Sequence, residues 1–201
     1  GKTEALAKAR AMLLAVGLPA DAVDRYPRQF SGGQRQRVAV ALALITEPSL
    51  VICDEPVSAL DLSTQAQVLN LLADLRDERG LAYLFIAHDI SVVSFLAQRV
   101  VVLYRGQVME SGPSRDVTER PRHPFTQALT AASPVPRPRE QAERRALREA
   151  SGVLTAGVAD GEGVGCPFAA RCPLATELCR TERPELRQLG QSQVACHYAT
   201  V

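Results

Sequence analysis

Two short stretches carry the residue types needed to handle a phosphate. One is Phe30-Ser31-Gly32-Gly33-Gln34-Arg35-Gln36-Arg37; the other is Asp54-Glu55, at the end of the apolar run Leu50-Val51-Ile52-Cys53. Ser31 with Gln34 three residues later has the form of a capping box, which satisfies free N–H groups at the start of a helix. The two glycines let another group come close to backbone donors. A helix start with its positive dipole end then favours an anion such as a terminal phosphate. A capped surface helix after a Gly-Gly turn has the same local form, and an acidic pair after a strand is commonly surface charge. His88, in Ile86-Ala87-His88-Asp89, follows a second apolar run; alone, it reads as structural. Glycine pair, helix, strand and acidic pair in sequence form a phosphate-handling layout, and the weight lies in the combination.

A second group of reactive residues lies near the end of the chain. Cys166, Cys172, Cys179 and Cys196 are separated by five, six and sixteen residues. Buried free thiols, a structural zinc site and an iron–sulfur cluster all compete for this pattern. The short C-x2-4-C pair usual in zinc sites is missing. Cys53, inside an apolar run, reads as core packing.

Elements must position these groups. Glu4 to Val16 is rich in Ala and Leu and forms a helix with Leu6, Ala9, Leu13 and Val16 on its apolar face; Gly17 and Pro19 stop it. Gly1-Lys2-Thr3 resembles the end of a P-loop, but the earlier glycine and preceding strand are absent, so Lys2 is not read as a phosphate-binding lysine. A helix follows from Ser31 to about Ile45. Leu50 to Cys53 reads as a parallel strand buried on both faces, with Asp54 and Glu55 at its carboxyl end, where such sheets bind ligands. Val68, Leu71, Leu72 and Leu75 keep helical spacing up to a cap at Gly80. Leu81 to Ala87 is a second buried strand, Ser91 to Gln98 a short helix, and Arg99 to Tyr104 and Gln107 to Glu110 two strands around Arg105-Gly106. Strands alternating with helices indicate an α/β domain with a largely parallel sheet. A short helix starts at His123. Pro134, Pro136 and Pro138 make a stiff linker, Arg139 to Ala150 a charged helix, and Ser151 to Gly165 a loose Gly-rich stretch.

Composition narrows the function classes. The chain has 201 residues and a formal net charge of +1, with no basic excess for general nucleic-acid binding. No apolar run approaches the roughly 18 residues of a membrane span, and no signal-peptide pattern is present. Five cysteines without a secretion signal suggest reduced thiols or metal ligands rather than disulfides. Opening on Gly rather than Met is expected of a piece of a longer polypeptide.

The combination resembles the ATP-binding cassette (ABC) ATPases. Ser31-Gly32-Gly33-Gln34-Arg35-Gln36-Arg37 is similar to their signature motif, Leu50 to Glu55 to their Walker B strand, Ser58-Ala59-Leu60-Asp61 to their D-loop, and His88 to their switch histidine. His123-Pro124-Phe125-Thr126, followed by Gly165-Cys166-Pro167-Phe168, Arg171-Cys172-Pro173, Cys179 and Ala195-Cys196-His197, resembles the C-terminal extension of oligopeptide/dipeptide importer ATPases. Departures are small: Ala87 where many relatives have Ser, and Leu42 where many have Arg. The family's adenine-stacking loop, P-loop and Q-loop have no counterpart in these residues.

The resemblance implies an N-terminally truncated P-loop NTPase-type α/β fold: the end of a helical subdomain over 1–30, the ATPase core over 31–118 and the Cys-rich extension over 119–201. It implies a head-to-tail dimer of two ABC ATPase subunits, with Ser31, Gly32, Gly33 and Gln34 clamping the γ-phosphate of ATP held by the partner. Asp54 is expected to hold Mg²⁺, Glu55 to act as general base, His88 to orient the attacking water, and the D-loop residues Ser58 and Asp61 to act across the dimer. The four cysteines are expected to bind a [4Fe–4S] cluster. Expected partners are transmembrane permease subunits and, indirectly, a peptide-binding protein, at the cytoplasmic face of the membrane; no nucleic acid is expected. Without a visible P-loop, the isolated 201 residues are expected to bind ATP poorly and not to turn it over. The alternatives are a catalytically incompetent module that docks on a partner ATPase or permease, and a soluble ABC ATPase acting on DNA or ribosomes.

Overall fold

The computed structural model describes residues 1–133 and 164–200. They fall into two compact units, Gly1–His88 and Asp89–Val201. In the first, helix α1 (Lys2–Ala15) opens at Lys2, so Gly1-Lys2-Thr3 is a helix start and not a phosphate loop. Met12, Leu13, Val16 and Leu18 are buried, whereas Leu6, expected on the apolar face, is exposed. Helix α2 (Gly32–Leu44) lies against α1. Arg37 ties the two by donating from Nη1 to the Val16 carbonyl at 2.9 Å, and Lys8 of α1 pairs with Glu47 just beyond α2 at 2.8 Å.

Strand β1 (Leu50–Asp54), helix α3 (Leu62–Arg79) and strand β2 (Ala82–Ile86) complete this unit. The strands pair in parallel, Leu50 opposite Ala82 through to Asp54 opposite Ile86. Helix α3 buries Val68, Leu69, Leu72 and Leu75, each stabilising the unit by about 1.5–3 kcal/mol. Leu69 takes the position expected of Leu71, which is half-buried. Gly80 ends the helix in the left-handed region at φ 64°, as its place after the last apolar turn predicts. Both strands depart from the expected two-sided burial. Cys53 is buried, but Ile52 and Leu84 are 63% and 53% exposed. Successive side chains of a strand point to opposite faces, and among the described residues no second layer covers the Ile52 face.

The second unit starts with helix α4 (Ile90–Leu96), capped by the Asp89 carboxylate on the Ser91 N–H. Strands β3 (Arg99–Tyr104) and β4 (Gln107–Pro113) form a hairpin. Its two-residue turn places Arg105 and Gly106 at φ 48° and 75°, the geometry that suits the twist of a tight hairpin. Strand β4 runs three residues beyond the expected end at Glu110. Helices α5 (Ser114–Glu119) and α6 (Pro124–Ala132) follow, then helix α7 (Glu177–Thr181) and strands β5 (Arg187–Leu189) and β6 (Ser192–Val194). The sheet order is β3-β4-β6-β5, antiparallel throughout, so parallel pairing among the described residues is confined to β1 and β2. Val100, Val102 and Val117 form its core with Val93, Phe125 and Leu129. The expected linker at Pro134, Pro136 and Pro138, the helix from Arg139 to Ala150 and all but the end of the Gly-rich stretch lie outside the described residues. Among those described, no helix is long and apolar enough to cross a membrane.

Candidate functional site

In the first unit the N-terminus of α2 is built as its sequence predicts. Ser31 is the cap: its Oγ accepts from the Gln34 N–H at 3.3 Å, and the Gln34 Oε1 accepts from the Ser31 N–H at 3.0 Å. Gly33 is also needed for packing, whereas Gly32 has room for a side-chain carbon. A Cβ on Gly33 would run into the Thr64 methyl group, and one on Gly32 would sit 3.7 Å from Leu60 Cδ2. Leu60 and Thr64 belong to the segment that follows the acidic pair, so the Gly-Gly start of α2 is seated against the start of α3. Sequence reasoning missed this seat, although adjacent glycines at a helix start are its signal.

Asp54 and Glu55 emerge from the carboxyl end of β1, and His88 follows the carboxyl end of β2. Parallel pairing puts both ends on the same side, and the Glu55 N–H donates to the Ile86 carbonyl at 3.0 Å. Glu55 Oε1 and His88 Nδ1 meet at 3.2 Å with side chains 48% and 70% exposed. A carboxyl group and an imidazole therefore stand together, both open to solvent. Glu55 has φ 44°, uncommon for a residue other than Gly, Asn or Asp. The Ser58 N–H and hydroxyl both bond the Glu55 carbonyl, at 3.3 and 3.1 Å, and hold this turn. Among the described residues no hydrogen bond links Ser31, Gly32, Gly33 or Gln34 to Glu55 or His88.

Asp61 has an additional task that its motif did not reveal. It caps α3, accepting from the Ser63 and Thr64 N–H groups at 3.1 and 3.0 Å and from both hydroxyls. The Ser63 hydroxyl first, then the Thr64 N–H and hydroxyl, hold its carboxyl well below the usual carboxylate range. A carboxylate depressed in the folded state stabilises it fully above the unfolded pKa and loses that contribution as pH falls through the folded value. Replacing Asp61 with Ala should speed hydrogen exchange at the Ser63 and Thr64 amides at neutral pH, whereas the wild type loses that protection only in strong acid. Equal protection in both proteins at pH 7 would show that the cap is dispensable.

The second unit brings all four tail cysteines together. Cys166, Cys172, Cys179 and Cys196 line one small cavity, and none forms a disulfide. Burial is the main cause pushing the Cys166 and Cys172 thiols up, and Cys179 and Cys196 push both further. The frame is mostly backbone. The Cys166 N–H donates to the Cys179 carbonyl at 2.8 Å, the Cys172 N–H to the Ala169 carbonyl at 3.3 Å, and Arg187 donates to the carbonyls of Cys196, His197 and Ala199. Among the described residues no group of three or more His, Cys, Asp or Glu side chains is placed to hold a metal ion. His123 and Phe168 close the cavity, each 1% exposed. The fully buried Glu110 carboxylate fixes the loop before α6 by accepting from the Arg122 and His123 N–H groups at 3.0 and 2.9 Å. Nothing in the alternation of β4 marks Glu110 as an inward anchor.

Comparison with known proteins matches both units. Residues 2–58 match the ABC transporter family and residues 109–179 the oligopeptide/dipeptide transporter C-terminal region. A Pseudomonas aeruginosa protein named as a di/tripeptide transport ATP-binding protein is 46% identical over 192 residues, 96% of this chain and 58% of that protein. A Brucella ovis protein named as a peptide import ATP-binding protein is 48% identical over 188 residues, 94% of this chain and 58% of its own length. The chain thus spans 58% of each relative. Among solved structures, the ADP conformation of an ATP-binding cassette of an ABC transporter aligns with TM-score 0.55 and 25% identity, covering 61% of this chain and 49% of that one. An inward-facing transporter described as metal-chelate type aligns with TM-score 0.52 and 32% identity, covering 56% and 45%. Capped glycine pair, acid–imidazole pair and four-cysteine cavity occur here in a chain that matches this family at both ends. The chain belongs to the ATP-binding proteins of ABC transporters, in the oligopeptide/dipeptide group.

Proposed function

We propose that the protein is the ATP-hydrolysing subunit of an importer for oligopeptides or dipeptides, acting at the cytoplasmic face of the membrane. The observation that carries this reading is the Glu55–His88 contact at the carboxyl ends of two adjacent parallel strands. Ligands in parallel sheets bind at those ends. Glu55 acts as general base on the attacking water and His88 orients that water and the γ-phosphate. Asp54, at the strand end beside them, holds Mg²⁺, which neutralises phosphate charge. Little covalent chemistry falls to the protein; positioning and charge stabilisation dominate.

The start of α2 serves a second ATP, bound by a partner ATPase subunit. The backbone N–H groups of Gly32 and Gly33, with Ser31 and Gln34, face its γ-phosphate. Ser58 and Asp61 hold the connecting segment between the two half-sites and act across the dimer. Transmembrane permease subunits couple the cycle to movement of peptide. The relatives named for peptide and di/tripeptide transport support this cargo.

The four cysteines hold a [4Fe–4S] cluster. Four free thiols around one cavity supply the donor set that such a cluster needs. Positive iron charge also offsets the mutual repulsion that ionised neighbouring thiols meet here.

Uptake tests the functional reading. Cells lacking the native gene should recover ATP-dependent uptake of labelled di- and tripeptides when it is restored. With Ser31→Arg, which fills the phosphate seat and removes the cap, uptake should fall at least about 100-fold, as after loss of a transition-state donor. Full uptake by Ser31→Arg, or no peptide uptake by the restored wild type, would reject the proposal.

A further inference from the structure

Thr64 touches both Gly33 and Asp61, yet it belongs to neither of the stretches that carry them. It lies half-buried in the first turn of α3. Its N–H and its hydroxyl both donate to the Asp61 carboxylate, at 3.0 Å to Oδ1 and 2.7 Å to Oδ2. Its methyl group faces Gly33, in the first turn of α2, and fills the space that a Cβ on Gly33 would need. One turn further along, Arg37 of α2 donates from Nη2 to the Gln67 Oε1 of α3 at 3.4 Å. Contacts step from Gly33–Thr64 to Arg37–Gln67, about one turn along each helix. The two helices therefore run side by side in the same direction, with their capped starts together.

The hydroxyl and the methyl of Thr64 hang on one Cβ, and a single stiff torsion moves both. Turning the methyl away from Gly33 would pull the hydroxyl off Asp61. That carboxylate is itself fixed by the amides and hydroxyls of both Ser63 and Thr64. The methyl is thus a fixed stop and not a free end. Gly33 is helical and does not have positive φ, so its backbone alone does not call for glycine; the stop does. We propose that Thr64 sets the position of the phosphate-facing start of α2 relative to Asp61, so that both meet a partner subunit as one rigid piece. The proposal rests on the functional reading above, in which Ser31, Gly32, Gly33 and Gln34 serve the partner's ATP and Asp61 acts across the dimer. Thr64 is a positioning residue; it touches no substrate. Misplacement by about 1 Å costs about 10²-fold in rate, and losing one methyl stop permits a part of that shift.

The test uses the native protein assembled with its partner subunit. Thr64→Ser keeps both bonds to Asp61 and removes the stop. Its kcat should fall about 10-fold while KM for ATP changes by less than about 2-fold. Thr64→Val keeps the methyl and loses the hydroxyl bond, and its kcat should stay within about 3-fold of wild type. A kcat in Thr64→Ser equal to wild type would overturn the proposal. A loss in Thr64→Val as large as in Thr64→Ser would also overturn it, since the effect would then not follow the contact with Gly33. A loss carried by KM would assign Thr64 to nucleotide binding and overturn it as well. A second measurement reads the contact without activity. Gly33→Ala should lower the urea midpoint of the wild type, where its Cβ meets the methyl. It should not lower that of Thr64→Ser, where the methyl is gone and alanine is the better helix former. Equal losses on both backgrounds would show that there is no stop. Absence of ATP hydrolysis by the wild-type assembly, with this stability pattern intact, would instead overturn the functional reading.

Discussion

Glu55→Gln is expected to lower ATP turnover by the native protein, assembled with its partner subunit, about 10²- to 10⁴-fold, the range that a positioned general base supplies. The substitution changes little else. Glutamine has the same length and still offers an oxygen at the position 3.2 Å from His88 Nδ1. The Glu55 side chain is half exposed and leaves no buried charge behind. Its backbone, at φ 44°, is held by the Ile86 carbonyl and by the Ser58 N–H and hydroxyl, none of which involves the carboxylate. Binding of ATP should therefore persist while chemistry slows, and the assembly should accumulate with nucleotide trapped. Single-turnover hydrolysis alongside equilibrium ATP binding separates the two effects. A single-turnover rate equal to wild type would remove Glu55 from the role of base. A parallel loss of binding would instead indicate that its charge serves the nucleotide's metal ion.

Much of the first unit was legible because its features are local. A capping box needs only Ser31 and Gln34, a left-handed helix stop needs only Gly80, and an acidic pair after four apolar residues marks a strand end. Local chemistry fixes each of these, and the structure repeats them. The left-handed backbone at Glu55 is different: nothing in a glutamate announces positive φ, and surrounding hydrogen bonds impose it. The second unit was less legible for a related reason. Strands β5 and β6 have three residues each and include Gln188, Ser192 and Gln193, so neither has a strand-like pattern. They exist because Leu189 and Val194 pack with Ala199 and because β6 pairs with the end of β4. Glu110 and His123 are distant in sequence from the cysteines, and only the folded chain puts His123 in the lining of their cavity, with Glu110 holding its backbone N–H. The strand-burial expectation failed at Ile52 and Leu84 because an apolar run states what a residue prefers, not whether a covering layer is present among the residues described.

Gly165→Ala should be the most damaging small substitution in the second unit. Its physics differs from that of most glycines in loops. Gly106 has φ 75° and open space around its Cα, so alanine there costs only backbone strain, about 1–2 kcal/mol. Gly165 is not in the left-handed region, and its backbone would accept alanine. The obstacle is what a Cβ would meet: the Cys179 carbonyl oxygen, and the Arg180 carbonyl carbon and oxygen, both at 2.5 Å. All three are backbone atoms of α7 and its end, and no rotamer change moves them aside. Relief requires the 164–166 segment and α7 to separate, which breaks the 2.8 Å bond from the Cys166 N–H to the Cys179 carbonyl and draws two of the four thiols apart. Overpacking of this kind costs about 1–3 kcal/mol, with the lost backbone bond added. Gly165→Ala should therefore lower the urea midpoint of this unit more than Gly106→Ala does, expose the Cys166 amide to exchange and reduce iron binding after reconstitution. The Glu55–His88 pair belongs to the other unit and provides the control. If Gly165→Ala lost neither stability nor iron relative to Gly106→Ala, the close approach of 164–166 to α7 would not be what holds the thiol cavity together.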